Sequence, residues 1–323
     1  MRRGKVVLIV ILAAIAFFFV TVLIWGIRAG QGSFGADLRR SFSVGQSEHT
    51  QNIDLERIQK IRLDYDAVDL TIEQGSGSQM VLTEYFSGDP KEDSYARLQR
   101  NVQEGAVTVT QGDSYLGFWF FSLGNGIRRA EITIPEAYAG KLVIQTDSGN
   151  VDAENLTCGE FTVTAGSGDI RLEGLKGQSL AVTTGSGNVT ASECRGSFTV
   201  ETGSGDMRIE EQSGGIRAET GSGDVDLTEG SGIREVKTGS GDIQMDSGED
   251  AIRVETSSGD VCIRKLENSS FSLQTETTSG DLSGSIIRQM DADEEERNYQ
   301  GVYGDTPRFQ VEIKTASGDI KLD

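Results

Sequence analysis

The chain has 323 residues, 50 acidic against 30 basic, and a net charge of −20. A surface this negative repels a phosphate backbone, which excludes nucleic acid as a partner. One histidine, His49, and three cysteines exclude histidine-based triads, multi-histidine zinc sites and a dense disulfide scaffold.

From Val6 to Ile27 the chain runs 22 residues without a charge, enough to cross a hydrocarbon core of about 30 Å as a helix. Arg2, Arg3 and Lys5 precede this stretch and Arg28 alone follows it, so the positive-inside rule keeps the first residues in the cytoplasm. A cleavable signal peptide would show an apolar region of about 7 to 15 residues and a small-residue cleavage site. No cysteine follows to take a lipid anchor. The expectation is an uncleaved single-pass anchor: residues 1–30 form the cytoplasmic tip and transmembrane helix, the membrane is a partner through residues 6–27, and everything after lies outside. Residues 31–52 read as a polar tether, with His49 a solvated linker residue.

The next block, 53–140, reads as an amino-terminal cap. It opens with a degenerate coil at Ile61, Leu63, Tyr65, Ala67, Leu70 and Ile72, in which Val68 stands where glycine is expected. Strand-like runs follow at Met80 to Phe86, Ala106 to Thr110 and Ala130 to Pro135, with a short helix after Pro90. Between them, Tyr115 to Leu123 reads YLGFWFFSL; packing within the cap competes with a contact loop presenting Phe118, Trp119, Phe120 and Phe121 to lipid or a partner.

From Thr146 onward one string recurs nine times, as TGSGDV at Thr220 or TGSGDI at Thr238. Its later glycine falls at Gly149, Gly168, Gly187, Gly205, Gly223, Gly241, Gly259, Gly280 and Gly318, spaced by 19, 19, 18, 18, 18, 18, 21 and 38 residues. The last gap holds an inserted loop, 288–308. Apolar residues alternate on both sides of each turn, as at Phe198 and Val200 before one and Met207 and Ile209 after it. That pattern means two short half-buried strands per unit. Such a unit cannot bury itself. Stacking copies about 4.8 Å apart closes the apolar faces on a shared lumen and pairs the backbone between coils. The fold class is therefore all-β, a single-stranded parallel β-helix (β-solenoid) spanning 141–323, with Val200, Ala218, Val236 and Val254 in one file. The later glycine is kept in every copy while the residue before the serine varies, so only the later site demands positive φ or very close backbone approach.

The apolar anchor, the Ile-Thr-Ile-Pro run at Ile132 to Pro135 and the repeated T-x-S-G-D motif together resemble a bacterial β-strand-repeat family known as putative adhesins, a domain of unknown function. The resemblance covers about residues 53–323. It implies a right-handed β-helix in the cell envelope, with some relatives linked to envelope stress, and it brings no catalytic residues.

Several columns of the stack are candidates for chemistry. The turn aspartates, Asp206, Asp224, Asp242 and Asp260 among them, would repel by about 1 kcal/mol in water at 4.8 Å, and calcium is one way to compensate. The competing reading is that each carboxylate accepts N–H groups of its own turn, a role that Asn150 and Asn188 in the same column fill equally well. The turn threonines share parity with the buried positions and read as an interior hydroxyl ladder. Arg217, Glu235 and Arg253 share one outward column; Glu219, Lys237 and Glu255 share the next. Cys158 and Cys194 sit two coils apart, about 9.6 Å, too far for a disulfide, so free thiols are expected and Cys262 should point outward. The acidic run Asp291, Asp293, Glu294, Glu295 and Glu296 lacks the glycine of a calcium loop.

These readings favour a non-enzymatic envelope protein, an adhesion, scaffold or sensing module that needs no cofactor and contacts an envelope protein or glycan. The alternatives are a calcium-dependent adhesin and a polysaccharide-active β-helix enzyme. The last coil ends at Leu322, so the carboxy-terminal edge of the solenoid is expected either to lie under the 288–308 insertion or to self-associate.

Overall fold

The computed structural model describes residues 46–87, 90–113, 127–247, 250–290 and 297–323. The segment 6–27 lies outside them, and among the described residues no helix is long and apolar enough to cross a membrane.

The amino-terminal strands are β1 (Gln46–Ile53), β2 (Lys60–Tyr65), β3 (Asp69–Gly75), β4 (Met80–Ser87), β5 (Arg97–Asn101), β6 (Ala106–Thr110) and β7 (Ile127–Pro135). Eight coils of two strands follow. They are β8 (Lys141–Thr146) with β9 (Val151–Glu154), β10 (Glu160–Ala165) with β11 (Ile170–Glu173), β12 (Lys176–Thr184) with β13 (Val189–Ser192), and β14 (Arg195–Thr202) with β15 (Met207–Ser213). Next come β16 (Ile216–Thr220) with β17 (Val225–Ser231), β18 (Arg234–Thr238) with β19 (Ile243–Asp246), β20 (Ile252–Thr256) with β21 (Val261–Arg264), and β22 (Phe271–Thr277) with β23 (Leu282–Ser283). The chain finishes with α1 (Ser285–Gln289), β24 (Asn298–Tyr303), β25 (Phe309–Thr315) and β26 (Ile320–Leu322).

Alternation places every second side chain inside, and parallel pairing turns equal positions into columns. Val200 pairs with Ala218, Ala218 with Val236 and Val236 with Val254, and all four are buried. The lumen is continuous from the degenerate coil, where Leu63 stacks on Ile144, to the last repeats, where Val254 stacks on Ile313.

The stack does not follow chain order at its ends. The coil β25/β26 lies between β20/β21 and β22/β23: Val311 pairs with Ile252 on one side and with Leu273 on the other. The last repeat is therefore interior and does not form the carboxy-terminal edge of the solenoid, the place at which it was expected to be covered by the insertion or paired with another copy. The 288–308 insertion is not simply a loop; it contains β24, which pairs antiparallel with β22. On the other sheet α1 closes the lumen with Ile286 and Ile287, both fully buried. The opposite end is built the same way. Strand β2 lies between β8 and β6, β3 lies between β9 and β7, and antiparallel strands finish the two sheets, β5 beyond β6 in one and β4 followed by β1 beyond β7 in the other. Antiparallel strands and a helix thus stop the parallel ladder, and β5, exposed at every position and carrying Arg97 and Arg100, is an edge that charge protects.

Two expectations near the amino terminus are corrected. The tether does not extend to residue 52, because β1 pairs antiparallel with β4 along its whole length. His49 is not a free linker residue: its ring stacks on Tyr95 with centroids 3.7 Å apart.

Backbone crowding, not positive φ, fixes the later turn glycine. A Cβ at Gly223 would overlap the Gly205 carbonyl, with its carbon at 2.6 Å and the Asp206 nitrogen at 3.1 Å. At Gly221 the Gly203 carbonyl oxygen is also crowded, but its carbon lies at 3.5 Å. Val68 escapes this rule because no repeat turn precedes it; β6 and β7 are joined by residues 111–126 rather than by a T-x-S-G-D turn. Gly223→Ala should cost about 2 to 3 kcal/mol and Gly221→Ala about 1, so a thermal melt should drop further for Gly223→Ala; equal losses would contradict the crowding argument.

Candidate functional site

Three features stand out from the regular lumen: the aspartate ladder at the first turn, a polar cluster inside the second turn, and the cap groove.

The turn aspartates form one unbroken chain of hydrogen bonds. Each carboxylate accepts the backbone N–H of the equivalent residue in the next coil: Asp206 from Asp224 at 3.0 Å, Asp224 from Asp242 at 2.9 Å and Asp242 from Asp260 at 2.9 Å. Asn150 and Asn188 take their places in the same chain, and Asp69 of the degenerate coil begins it. The partner is the neighbouring coil's N–H, not one in the same turn as the sequence suggested. One oxygen of each ladder carboxylate is therefore already engaged, and among the described residues no group of three or more His, Cys, Asp or Glu is placed to hold a metal ion. The threonines form a second ladder inside the first. Thr202 Oγ1 accepts the Gly205 N–H at 3.1 Å and donates to the Gly187 carbonyl at 3.2 Å, and Thr220 and Thr238 donate likewise to Gly205 and Gly223. The hydroxyls bond backbone rather than one another.

The second turn, irregular in sequence, is regular in conformation. Asn155, Glu193, Glu211, Glu229 and Lys265 all sit at φ between 51° and 62°, a left-handed column that costs roughly 1 kcal/mol per non-glycine residue. Inside it lies Arg234, in the lumen column of Phe198, Ile216 and Ile252. Its guanidinium donates to the Glu229 and Gly230 carbonyls, both at 3.0 Å, and to the Asp246 carbonyl. Burial lowers the Arg234 pKa, with Asp246 and Asp250 opposing. Burial also works against the Asp246 carboxylate, but Lys265 at 2.7 Å and Arg264 at 2.9 Å outweigh it and hold its pKa below the usual carboxylate range. The repeated motif does not mark this cluster; its one sign in the sequence is an arginine at a position that is apolar in the neighbouring copies.

The cap carries a concavity of about 840 Å3. Arg62 spans its floor, with Nε at 2.8 Å from both Asp64 oxygens and Nη2 on Gln145, while Arg97 pairs with Asp113 at 3.1 Å. Asp66 and Asp147 also line the concavity. The contact-loop residues Phe118, Trp119, Phe120 and Phe121 lie outside the described residues, as does the acidic run 291–296. Behind the groove Glu84 is fully buried. Its Oε2 accepts the Ala96 N–H at 2.8 Å, which pins the strap carrying Tyr95 onto β4. Burial raises the Glu84 carboxyl to about 7, while the Ala96 N–H and the nearby Tyr65 hydroxyl pull it down.

The outward charge columns are in the predicted register: Arg217 and Glu235 lie 2.9 Å apart, Lys237 and Glu255 3.7 Å. The three thiols are free, Cys158 and Cys194 buried and Cys262 half-buried. Burial raises all three, Cys158 to about 11, and the two buried thiols are poor nucleophiles.

The family model of Toastrack DUF4097 matches residues 58–323. The chain belongs to this family. Solved structures similar to this Toastrack chain include a putative lipid binding protein from Parabacteroides distasonis, at 14% identity and TM-score 0.48, covering 87% of this chain and 98% of that one. A putative adhesin from the same organism is similar at 9% identity and TM-score 0.42, covering 86% and 98%. A putative cell adhesion protein from Clostridium sporogenes is similar at 14% identity and TM-score 0.31, covering 86% and 99%. No curated protein matches the chain.

Three variants probe these features. Asp242→Asn keeps an acceptor for the Asp260 N–H and should melt within about 0.5 kcal/mol of the parent, whereas Asp242→Ala should cost about 1 kcal/mol. Glu84 has its folded pKa raised above the ordinary 4.5, so its contribution is fully present below about pH 4.5 and lost as pH rises through about 7, roughly 3 kcal/mol in all. Glu84→Gln should match the parent near pH 4.5 and exceed it by about that amount above neutrality, read by urea titration across pH; parallel stability curves would contradict this.

Proposed function

We propose that this Toastrack chain is a non-enzymatic cell-envelope protein, tethered through residues 6–27, whose solenoid stands outside the membrane as an adhesion or scaffold module. The observation that carries this reading is the constancy of the outward columns. Ten coils in one register present rows of side chains at a fixed spacing of about 4.8 Å, and charges of both signs are spread along the rows as pairs rather than gathered at one place. A glycosidase needs two carboxyl groups facing one bond within about 5 to 10 Å, one of them held protonated. Among the described residues the one carboxyl raised to about 7 is Glu84, and it is sealed behind the cap rather than open to a glycan. A long regular face suits extended contact with a surface, where many weak contacts add up through multivalency.

The proposal is tested in two steps in intact cells. A membrane-impermeant maleimide should label Cys262, the one cysteine of the three that is not buried, and Cys262→Ser should abolish labelling; label appearing only after lysis would place the solenoid inside. Photo-crosslinkers at Glu219 and Lys237 should then capture the same partner from neighbouring coils. Glycan hydrolysis by the purified ectodomain would overturn the non-enzymatic reading.

A further inference from the structure

The slot between β20/β21 and β22/β23 is built by the chain before the segment that fills it. Lys265 to Ser270 carries the backbone from β21 directly to β22, past one whole coil position, and β25 and β26 enter that position only after α1 and β24 have been laid down. Without them, β20, β21, β22 and β23 each present an edge that lacks its parallel partner.

The slot is specific in charge as well as in shape. Lys314 lies in register between Glu255 and Glu276, 3.8 Å from the latter, and Glu312 lies 4.0 Å from Arg253. Closing the stack in chain order would set Glu255 directly against Glu276, two like charges at one strand spacing. At the turn the Asp319 N–H donates to Asp260 at 2.8 Å, and the Asp319 carboxylate accepts the Asp281 N–H at 3.0 Å. Val311, Ile313, Ile320 and Leu322 complete the lumen with no exposed surface. The coil makes nearly all of these contacts with segments distant in sequence. What leads into it is the hinge Gly304–Arg308, which crosses the end of β22 where the Phe271 ring lies between Tyr303 and Phe309, at 5.4 and 5.7 Å.

We propose that this slot is a self-recognition site that accepts residues 309–323 of a second copy, so that the protein associates with itself by exchanging its last coil. An exchanged coil makes the same backbone ladder, lumen contacts and charge pairs in the partner's slot. Exchanged and unexchanged forms differ in the path of the hinge and in their dependence on protein concentration. This inference does not depend on where the protein resides.

Cys262 and Lys321 are register partners at the slot wall, and they supply the test. A chain carrying Lys321→Cys and Cys262→Ser cannot close this pair within itself, and the parent chain lacks the second cysteine. The two, differently tagged, are unfolded together, refolded at high concentration and exposed to a mild thiol oxidant. The expected product is a disulfide-linked heterodimer mapped by mass spectrometry to positions 262 and 321, its yield rising with concentration and falling several-fold when the chains are refolded separately before mixing. Refolded chains that give no such heterodimer, or only links to other cysteines, overturn the proposal. Should the double variant not refold, deletion of Gly304 to Pro307 decides the matter. One remaining hinge residue reaches about 7 Å against two strand spacings of about 9.6 Å, so the coil can no longer return to its own slot. Light scattering should then find a dimer, and a monomer overturns the proposal.

Discussion

The structure depends on how closely one turn can approach the next. At the later glycine of each repeat the backbone of one coil lies so near the carbonyl of its neighbour that no Cβ fits, and this approach sets the distance at which everything else must pair. Once it is met, the threonine hydroxyl reaches the neighbouring carbonyl and the aspartate reaches the neighbouring N–H. Each is a modest interaction, about 1 kcal/mol or less when exposed, but they repeat with the coil. A shift of one residue in any strand would lose the whole set and turn the apolar face outward. The turn therefore fixes the register, while hydrophobic burial supplies the driving force.

That division explains why the lumen tolerates polar residues at one place and not at others. Arg234 interrupts an apolar column, yet the second turn of the preceding coil, which leads into β18, runs through Gly230 and Gly232 at positive φ, and the Glu229 and Gly230 carbonyls accept from its guanidinium. The guanidinium repays its burial by satisfying acceptors that would otherwise be stranded. Gln212 uses the same turn one coil earlier, donating to the Gly196 carbonyl at 2.8 Å.

Period and parity were legible because the repeat is nearly exact in length. Val200 over Ala218 over Val236 over Val254 follows from spacings of 18, and the Arg217–Glu235 and Lys237–Glu255 pairs follow from the same count. The direction of the aspartate bond was not legible, because an Asx turn and an inter-coil bond ask for the same residue types. The strand nature of Gln46 to Ile53 was hidden because QSEHTQNI carries one apolar residue; its pairing with β4, not its own composition, makes it a strand. Interleaving at the ends is a long-range property that a repeat count cannot see. One trace of it was nevertheless present: chain order places Glu255 beside Glu276, and alternation of charge is restored only when Lys314 comes between them.

A parallel stack has no natural end, since each coil offers the next the same edge it received. Both ends of this solenoid meet the difficulty in the same way. A repeat coil is placed one position inside, between β8 and β6 at one end and between β20 and β22 at the other. The outermost positions then go to segments free of the repeat pattern, antiparallel strands and a short helix, whose sequences are not constrained to match another coil. The arrangement has a thermodynamic consequence. Each end coil is held along both edges, so neither can fray without opening two ladders at once, and the local opening that usually begins at the termini of a repeat protein is moved to strands that carry no part of the lumen register.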